Sequence, residues 1–206
     1  MTDTQKQALA NQDKSSSSFM LPLDHANSID HNHVILDIGF GMGESLYQQA
    51  ESTPTTLFIG VEVYLPGIGA LLKQLQAKPL DNLKIVHADA QEVLTQLPAS
   101  SIQIVQCFFP DPWPKRRHHK RRLLLQASFY QKMSECLVPK GLLHIMTDWQ
   151  DYGNAILKTY QNQDQFTKLD DHPILVNTSN QIALTKYQCR GLKLGHQIQT
   201  FLYQVP

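Results

Sequence analysis

Five times along this chain a short apolar run gives way to a stretch with helical spacing, and that alternation leaves few folds open. Val34-Ile35-Leu36-Asp37-Ile38 is apolar at nearly every position, as in a parallel strand buried on both faces. The glycine turn Gly39-Phe40-Gly41-Met42-Gly43 follows, then a helix to about Ala50. A second strand over Leu57 to Val63 leads to a helix with Pro66 near its start and an end before Pro79. A third strand over Leu83 to His87 precedes a short helix from Ala90 to Leu97, and a fourth strand ends at Phe108. Leu125, Phe129, Met133 and Cys136 then recur at three- or four-residue spacing, predicting a helix from about Arg121 to Leu137. That helix is expected to stop at the breaker Pro139-Lys140-Gly141, before a fifth strand from Leu142 to Thr147 and a helix to about Gln161. Alternation of this kind specifies an α/β fold with a doubly wound, mostly parallel sheet.

The ends of the chain read differently. Residues 1–32 are polar and contain Ser15-Ser16-Ser17-Ser18, which suits a flexible tail ahead of one domain over 33–206. Gln181 to Cys189 and Gln197 to Tyr203 alternate loosely and predict an antiparallel pair closed by Gly191 to Gly195, giving the sheet a reversed edge strand. A hydrophobic content of 42% in 206 residues is enough for a full core and argues against a disordered chain. Three widely spaced cysteines, Cys107, Cys136 and Cys189, form no C-x-x-C pair, so neither a disulfide framework nor a metal site is expected. With no secretory pattern and no apolar run of about 20 residues, the expectation is a cytoplasmic protein with no membrane partner.

The densest charge lies in Lys115 to Arg122, where six of eight residues are Lys or Arg and none is acidic. Taking those six from the total of 18 leaves 12 basic residues against 18 acidic ones, so a neutral sum conceals a polarised molecule. Such a run reads as a phosphate-binding patch. It follows Phe108-Phe109-Pro110-Asp111-Pro112-Trp113, which places Asp111 just past a strand's carboxyl end, where open α/β sheets bind ligands.

Other acids fall at equivalent places. The glycine turn has the spacing G-x-G-x-G and departs from the dinucleotide fingerprint G-x-G-x-x-G, and by itself it is a weak signal. Glu62, at the end of strand two, is placed to accept hydrogen bonds from ribose hydroxyls, and Asp89, after strand three, from an adenine amino group. Asp37 and Asp111 suit an ammonium group. Each acid alone could equally cap a helix. Together with Gly39 and Gly41 they match S-adenosylmethionine, which carries an ammonium, a ribose and an adenine and has no pyrophosphate.

At these residues the chain resembles the bacterial tRNA (guanine-N7-)-methyltransferases. The resemblance runs from about Val34 to Tyr203, through Asp37 to Gly43, Gly60 to Val63, Phe108 to Trp113, Thr147-Asp148-Trp149 and Thr185 to Gly191. It implies the class I S-adenosylmethionine-dependent methyltransferase fold, with Asp37, Glu62, Asp89 and Asp111 on the cofactor and Asp111 also at the reacting centre. It further implies that Lys115, Asp148, Thr185, Lys186, Tyr187 and Gln188 contact the target nucleoside. Arg117, His118, His119, Lys120, Arg121 and Arg122 would contact RNA. The implied target is a guanosine of the tRNA variable loop, position 46. The chain has Asp37 and Gln188 where that family usually has Glu, and a serine-rich tail where it carries an arginine-bearing segment.

Guanine N7 holds a lone pair in the neutral base, so methylation there needs alignment and charge placement but no general base. A base gripped by its Watson–Crick edge must leave its stack. His118 and His119, inside a basic run, are read as facing RNA or solvent. Two other functions fit parts of the sequence. One is an RNA-binding protein without catalysis on the same fold. The other is an NAD-dependent oxidoreductase, disfavoured by the glycine spacing and by the lack of an evident Tyr-x-x-x-Lys.

Overall fold

The computed structural model describes residues 33–174 and 197–206, together with Thr2. The expected tail over 1–32 and the expected strand over Gln181 to Cys189 lie outside the described residues. The chain divides into two compact units, one ending at Leu97 and the other beginning at Pro98.

The first unit carries strands β1 (His33–Ile38), β2 (Thr56–Glu62) and β3 (Leu83–His87), paired in parallel in the order β3-β2-β1. Helices α1 (Glu44–Ser52), α2 (Leu65–Ala77) and α3 (Ala90–Gln96) follow the three strands in turn. Their apolar faces meet the sheet in a core of Leu46, Tyr47, Ala50, Phe58, Ile68, Leu71, Leu72, Leu83 and Ile85. Asn82 is buried, and its amide group reaches the carbonyls of Ala50, Thr53 and Thr56 at 2.9, 3.1 and 2.9 Å. It thereby ties the end of α1 and the start of β2 to the turn before β3, and gives its own buried amide hydrogen-bond partners. Gly60, opposite Asp37 in the register, has no room for a side chain: a Cβ would stand 2.8 Å from the Phe40 ring and would overlap Leu46.

The second unit holds β4 (Ile102–Phe108), α4 (Ala127–Cys136), β5 (Leu137–Thr147), α5 (Gln150–Tyr160), β6 (Thr167–Leu169) and β7 (Gln199–Gln204). β4 and β5 are parallel, whereas β7 lies antiparallel to both β5 and β6, in the order β4-β5-β7-β6. The sheet has seven strands, mostly parallel with an antiparallel edge and interleaved with helices, the fold class expected from the alternation. Tyr160, at the end of α5, forms an aromatic cluster with Phe166, Phe201 and Tyr203, and the Tyr160 and Tyr203 rings stack at 4.8 Å.

Two boundaries depart from the sequence reading. Pro139-Lys140-Gly141 does not separate α4 from β5. The helix ends earlier, at Cys136, and β5 runs through the breaker. Proline disfavours helical backbone in the residue before it, which pushes Val138 out of the helix. The ladder then shifts from Ile102–Leu137 to Ile104–Leu142, and Lys140 takes a positive φ of 64°. The bulge is closed by Lys140 donating to the Pro206 carbonyl and Val205 donating to the Gly141 carbonyl. The second departure is at the basic run. No α-helix begins at Arg121; Arg116–Arg121 and Leu123–Leu125 are 3-10 segments, and α4 starts at Ala127. Crowded like charges without an acid in the first turn oppose a regular helix. Among the described residues no helix is long and apolar enough to cross a membrane.

Candidate active site

The first unit carries the acids expected to meet a cofactor. Gly39, Gly41 and Gly43 all have positive φ, 77°, 61° and 78°, which lets the chain turn tightly between β1 and α1. Gly39 donates to the Val61 carbonyl at 2.8 Å, fixing the turn to β2. Among the described residues, and chain neighbours aside, no atom lies within 4 Å of where a Cβ would project from Gly39 or Gly41, so the backbone is open to them on that side.

Glu62 closes the other side of this turn. Its Oε2 accepts from the Gly41 amide at 2.9 Å, and its Oε1 from the Val63 and Tyr64 amides at 2.7 and 2.9 Å. A carboxylate offers about four acceptor directions. Three are committed to the backbone, so Glu62 holds the turn and keeps one direction for a ligand. Asp37 is buried beside it, and burial followed by the negative charge of Glu62 pushes its carboxyl up to about 7. Asp89 is exposed and caps α3, its Oδ1 accepting from the Gln91 amide at 2.8 Å. Val63, Tyr64 and Leu65 stay exposed beyond Glu62. A raised carboxyl that an ammonium would relieve, an open glycine turn and unburied apolar side chains fit a cofactor of S-adenosylmethionine's make-up.

The second unit carries the remaining candidates. Asp111 is exposed in the turn after β4. Its neighbours are held unusually: Phe109 and Trp113 have positive φ, 52° and 45°. Left-handed backbone in non-glycine residues costs about 1–3 kcal/mol each and persists where the surroundings impose it. Here Phe109 donates to the Met146 carbonyl at 2.7 Å, and Trp113 packs against the His118 ring at 5.9 Å and beneath the Arg121 guanidinium at 4.8 Å. Lys115, Arg116, Arg117, Lys120 and Arg121 are exposed, and His118 and His119 are half-buried. Asp148 and Trp149 are half-buried past the end of β5.

Arg122 departs from the other basic residues. It is 2% exposed and donates from Nε to the Pro112 carbonyl at 2.8 Å and from Nη2 to Asp151 at 2.6 Å. Its guanidinium carbon lies 4.9 Å from the Tyr152 ring centre. The hydrogen bond from Arg122, reinforced by its charge, holds the Asp151 carboxyl below its usual range. The expectation that Arg122 faces RNA with its neighbours does not match this burial. A basic side chain next to Leu123-Leu124-Leu125 is drawn inward with them, and Asp151 and Tyr152, which the sequence reading did not single out, receive it. The only available signal was an acid in the first turn of α5. Thr185, Lys186, Tyr187 and Gln188 lie outside the described residues.

This fold and its acid-lined strand ends define a class I S-adenosylmethionine-dependent methyltransferase. Solved structures of that class superpose well. The 16S rRNA methyltransferase KamB matches with a TM-score of 0.60 at 15% identity, over 85% of this chain and 89% of that one. The aminoglycoside resistance methyltransferase NpmB1 matches with a TM-score of 0.58 at 16% identity, over 87% and 90%. A family model described as "Putative methyltransferase" matches residues 31–201. The tRNA (guanine-N(7)-)-methyltransferase of Nitrosococcus oceani is 47% identical over 80% of this chain and 68% of its own length. That of Methylobacillus flagellatus is 41% identical over 90% and 77%. The chain belongs to the tRNA (guanine-N(7)-)-methyltransferase family.

Proposed function

We propose that this protein transfers a methyl group from S-adenosylmethionine to N7 of guanine 46 in the tRNA variable loop. The observation that carries this reading is the exposed carboxylate of Asp111, braced between two left-handed residues and followed at once by an exposed basic run. Membership of the family supports it.

Asp37 holds the ammonium end of the cofactor, Glu62 its ribose through the free acceptor direction, and Asp89 its adenine amino group. Gly39 and Gly41 let it approach the backbone. Once bound, the cofactor supplies an electrophilic methyl group on a sulfonium. The protein need not remove a proton, because N7 presents its own lone pair. Its task is to align the base and to offset the positive charge that grows on it. Asp111 supplies the offsetting charge and shares the ammonium. Lys115 and Asp148, with Thr185, Lys186, Tyr187 and Gln188, contact the extruded nucleoside. Arg116, Arg117, Lys120 and Arg121, with His118 and His119, take the tRNA backbone.

Incubation of tRNA with protein and methyl donor, followed by mass mapping of nuclease fragments, tests the reading. N7-methylguanine in the variable-loop fragment is expected. Methylation elsewhere would refute the position, and tRNA binding without any methylated product would leave a non-catalytic RNA-binding protein. Asp111→Ala should abolish product while leaving the thermal midpoint within a few degrees of the wild type. A near-normal single-turnover rate in that variant would remove Asp111 from the chemistry.

A further inference from the structure

We propose that Arg122 is a positioning residue that clamps the Pro110-Asp111-Pro112 turn in its reactive shape, and is not one of the phosphate contacts of the basic run. The inference rests on the role given above to Asp111.

The turn is held at both ends. Its entry is fixed by the Phe109 amide on the Met146 carbonyl, 2.7 Å away. Its exit is fixed by Arg122, whose Nε donates to the Pro112 carbonyl at 2.8 Å, one residue beyond Asp111. Nη2 of the same guanidinium binds Asp151 at 2.6 Å, in the first turn of α5, and the group rests on the Tyr152 ring. A planar, rigid fork can satisfy a carbonyl and a carboxylate together, and a lysine ammonium on its flexible stem cannot hold both in fixed directions. One side chain therefore links the residue beside Asp111 to the helix that follows β5. Positive φ at Phe109 and Trp113 means that the turn would relax if released. Neighbouring Arg121 and His118 pack on Trp113 and leave Pro112 to Arg122.

A phosphate contact needs an exposed cation. Arg122 is 2% exposed and its charge already faces Asp151, whereas Arg116, Arg117 and Lys120 are exposed. The basic run thus divides by function: its last residue shapes the turn, and the earlier ones are left for the polyanion.

Arg122→Gln and Arg122→Lys test this, with Arg117→Ala as the contrast. Single-turnover methylation is measured at saturating tRNA and cofactor, beside tRNA affinity at several salt concentrations. Trp113 emission is followed in a Trp149→Phe background, where it is the sole tryptophan. For Arg122→Gln the saturating rate should fall about a hundredfold, with tRNA affinity within about twofold and an unchanged salt slope. Trp113 emission should shift to the red as the turn loosens. Arg122→Lys should fall between Gln and wild type, and it carries the test alone if the Gln variant does not fold. Arg117→Ala should weaken tRNA binding and flatten the log–log salt slope by about 0.7–0.9, with Trp113 emission at the wild-type position. A flattened slope with a wild-type saturating rate in the Arg122 variants would make Arg122 a phosphate contact and overturn the clamp. A lowered thermal midpoint with normal rate and emission would reduce it to a stability element and overturn it equally. If the wild type itself makes no methylated product, the proposed function falls, and Trp113 emission with the salt slope still decides the clamp.

Discussion

Glu62 serves two neighbours with one carboxylate. Because three backbone amides already occupy it, Glu62→Gln should both free the glycine turn and weaken the ribose contact. An amide offers one acceptor oxygen, and hydrogen bonds to a charged group contribute roughly 1.5–3 kcal/mol, so cofactor affinity should drop about tenfold to a hundredfold. Calorimetry showing an unchanged dissociation constant would contradict the assignment. Asp37 adds a pH signature. Its carboxyl is raised to about 7, so near neutrality it is partly protonated and must lose that proton to pair with an ammonium. Cofactor binding should weaken by up to about tenfold per pH unit below 7, with uptake of buffer heat showing proton release. Asp37→Asn should remove the dependence; a wild-type profile flat from pH 5.5 to 8 would show that Asp37 does not meet the ammonium. For the unliganded fold the sign is opposite: a raised carboxyl favours the protonated folded state, so its stabilisation, complete below about 4, is lost as pH rises through about 7.

Two elements carry their own predictions. The 3-10 segment Arg116–Arg121 presents cations without regular helical spacing, which suits an irregular phosphate path better than a groove-fitting helix. Replacing Arg116, Arg117 and Lys120 with Ala should weaken tRNA binding and flatten the salt slope by about two units, with cofactor affinity unchanged. Titrations giving the wild-type slope would place the tRNA surface elsewhere. In β5, His144 is 1% exposed and neither ring nitrogen has a hydrogen-bond partner among the described residues; the ring meets Phe108 edge-on at 4.9 Å. Burial, with the charge of His172 second, lowers its pKa to about 4. The unfolded chain binds that proton near 6.5 and the folded one only near 4, so the contribution of His144 to stability is full above about 6.5 and declines as pH falls to 4, opposite in sign to that of Asp37. The loss is on the order of 3 kcal/mol across that window. Urea unfolding of His144→Leu should lack this slope, and equal slopes in the two proteins would refute the buried neutral histidine.

For the whole molecule, the two units should report different ligands. Cofactor should slow hydrogen exchange most at Gly39 to Gly43 and Glu62 to Leu65, in the first unit, and tRNA at Pro112 to Arg121, in the second. Protection by tRNA confined to the first unit would contradict the proposed division. Much of this arrangement was legible beforehand. Hydrophobic runs broken by turn residues gave strands β1 to β4 nearly to the residue, because a strand buried on both faces leaves a continuous apolar signature. Glycines at Gly39, Gly41 and Gly43 announced a turn, since their positive φ excludes most side chains. Asp37, Glu62, Asp89 and Asp111 could be placed at strand ends by counting alone. What the local pattern misjudged was where one force overrode another. β5 crosses Pro139 as a bulge, held by the Lys140 and Gly141 bonds to Pro206 and Val205 and by ladder pairing at Leu137 and from Leu142 onward. β6, three residues long, has too little sequence to show a period. Arg122 looked like its five basic neighbours, and its burial follows from Asp151 and Tyr152, 29 and 30 positions away in the chain. The linear order of residues determined the fold class, the acid-bearing strand ends and the polarity of the chain, because those depend on near neighbours and composition. Only the tertiary structure decided which cation turns inward, how Glu62 divides its acceptors and how far Asp37 is pushed from its usual ionisation, because each depends on contacts between segments distant in sequence.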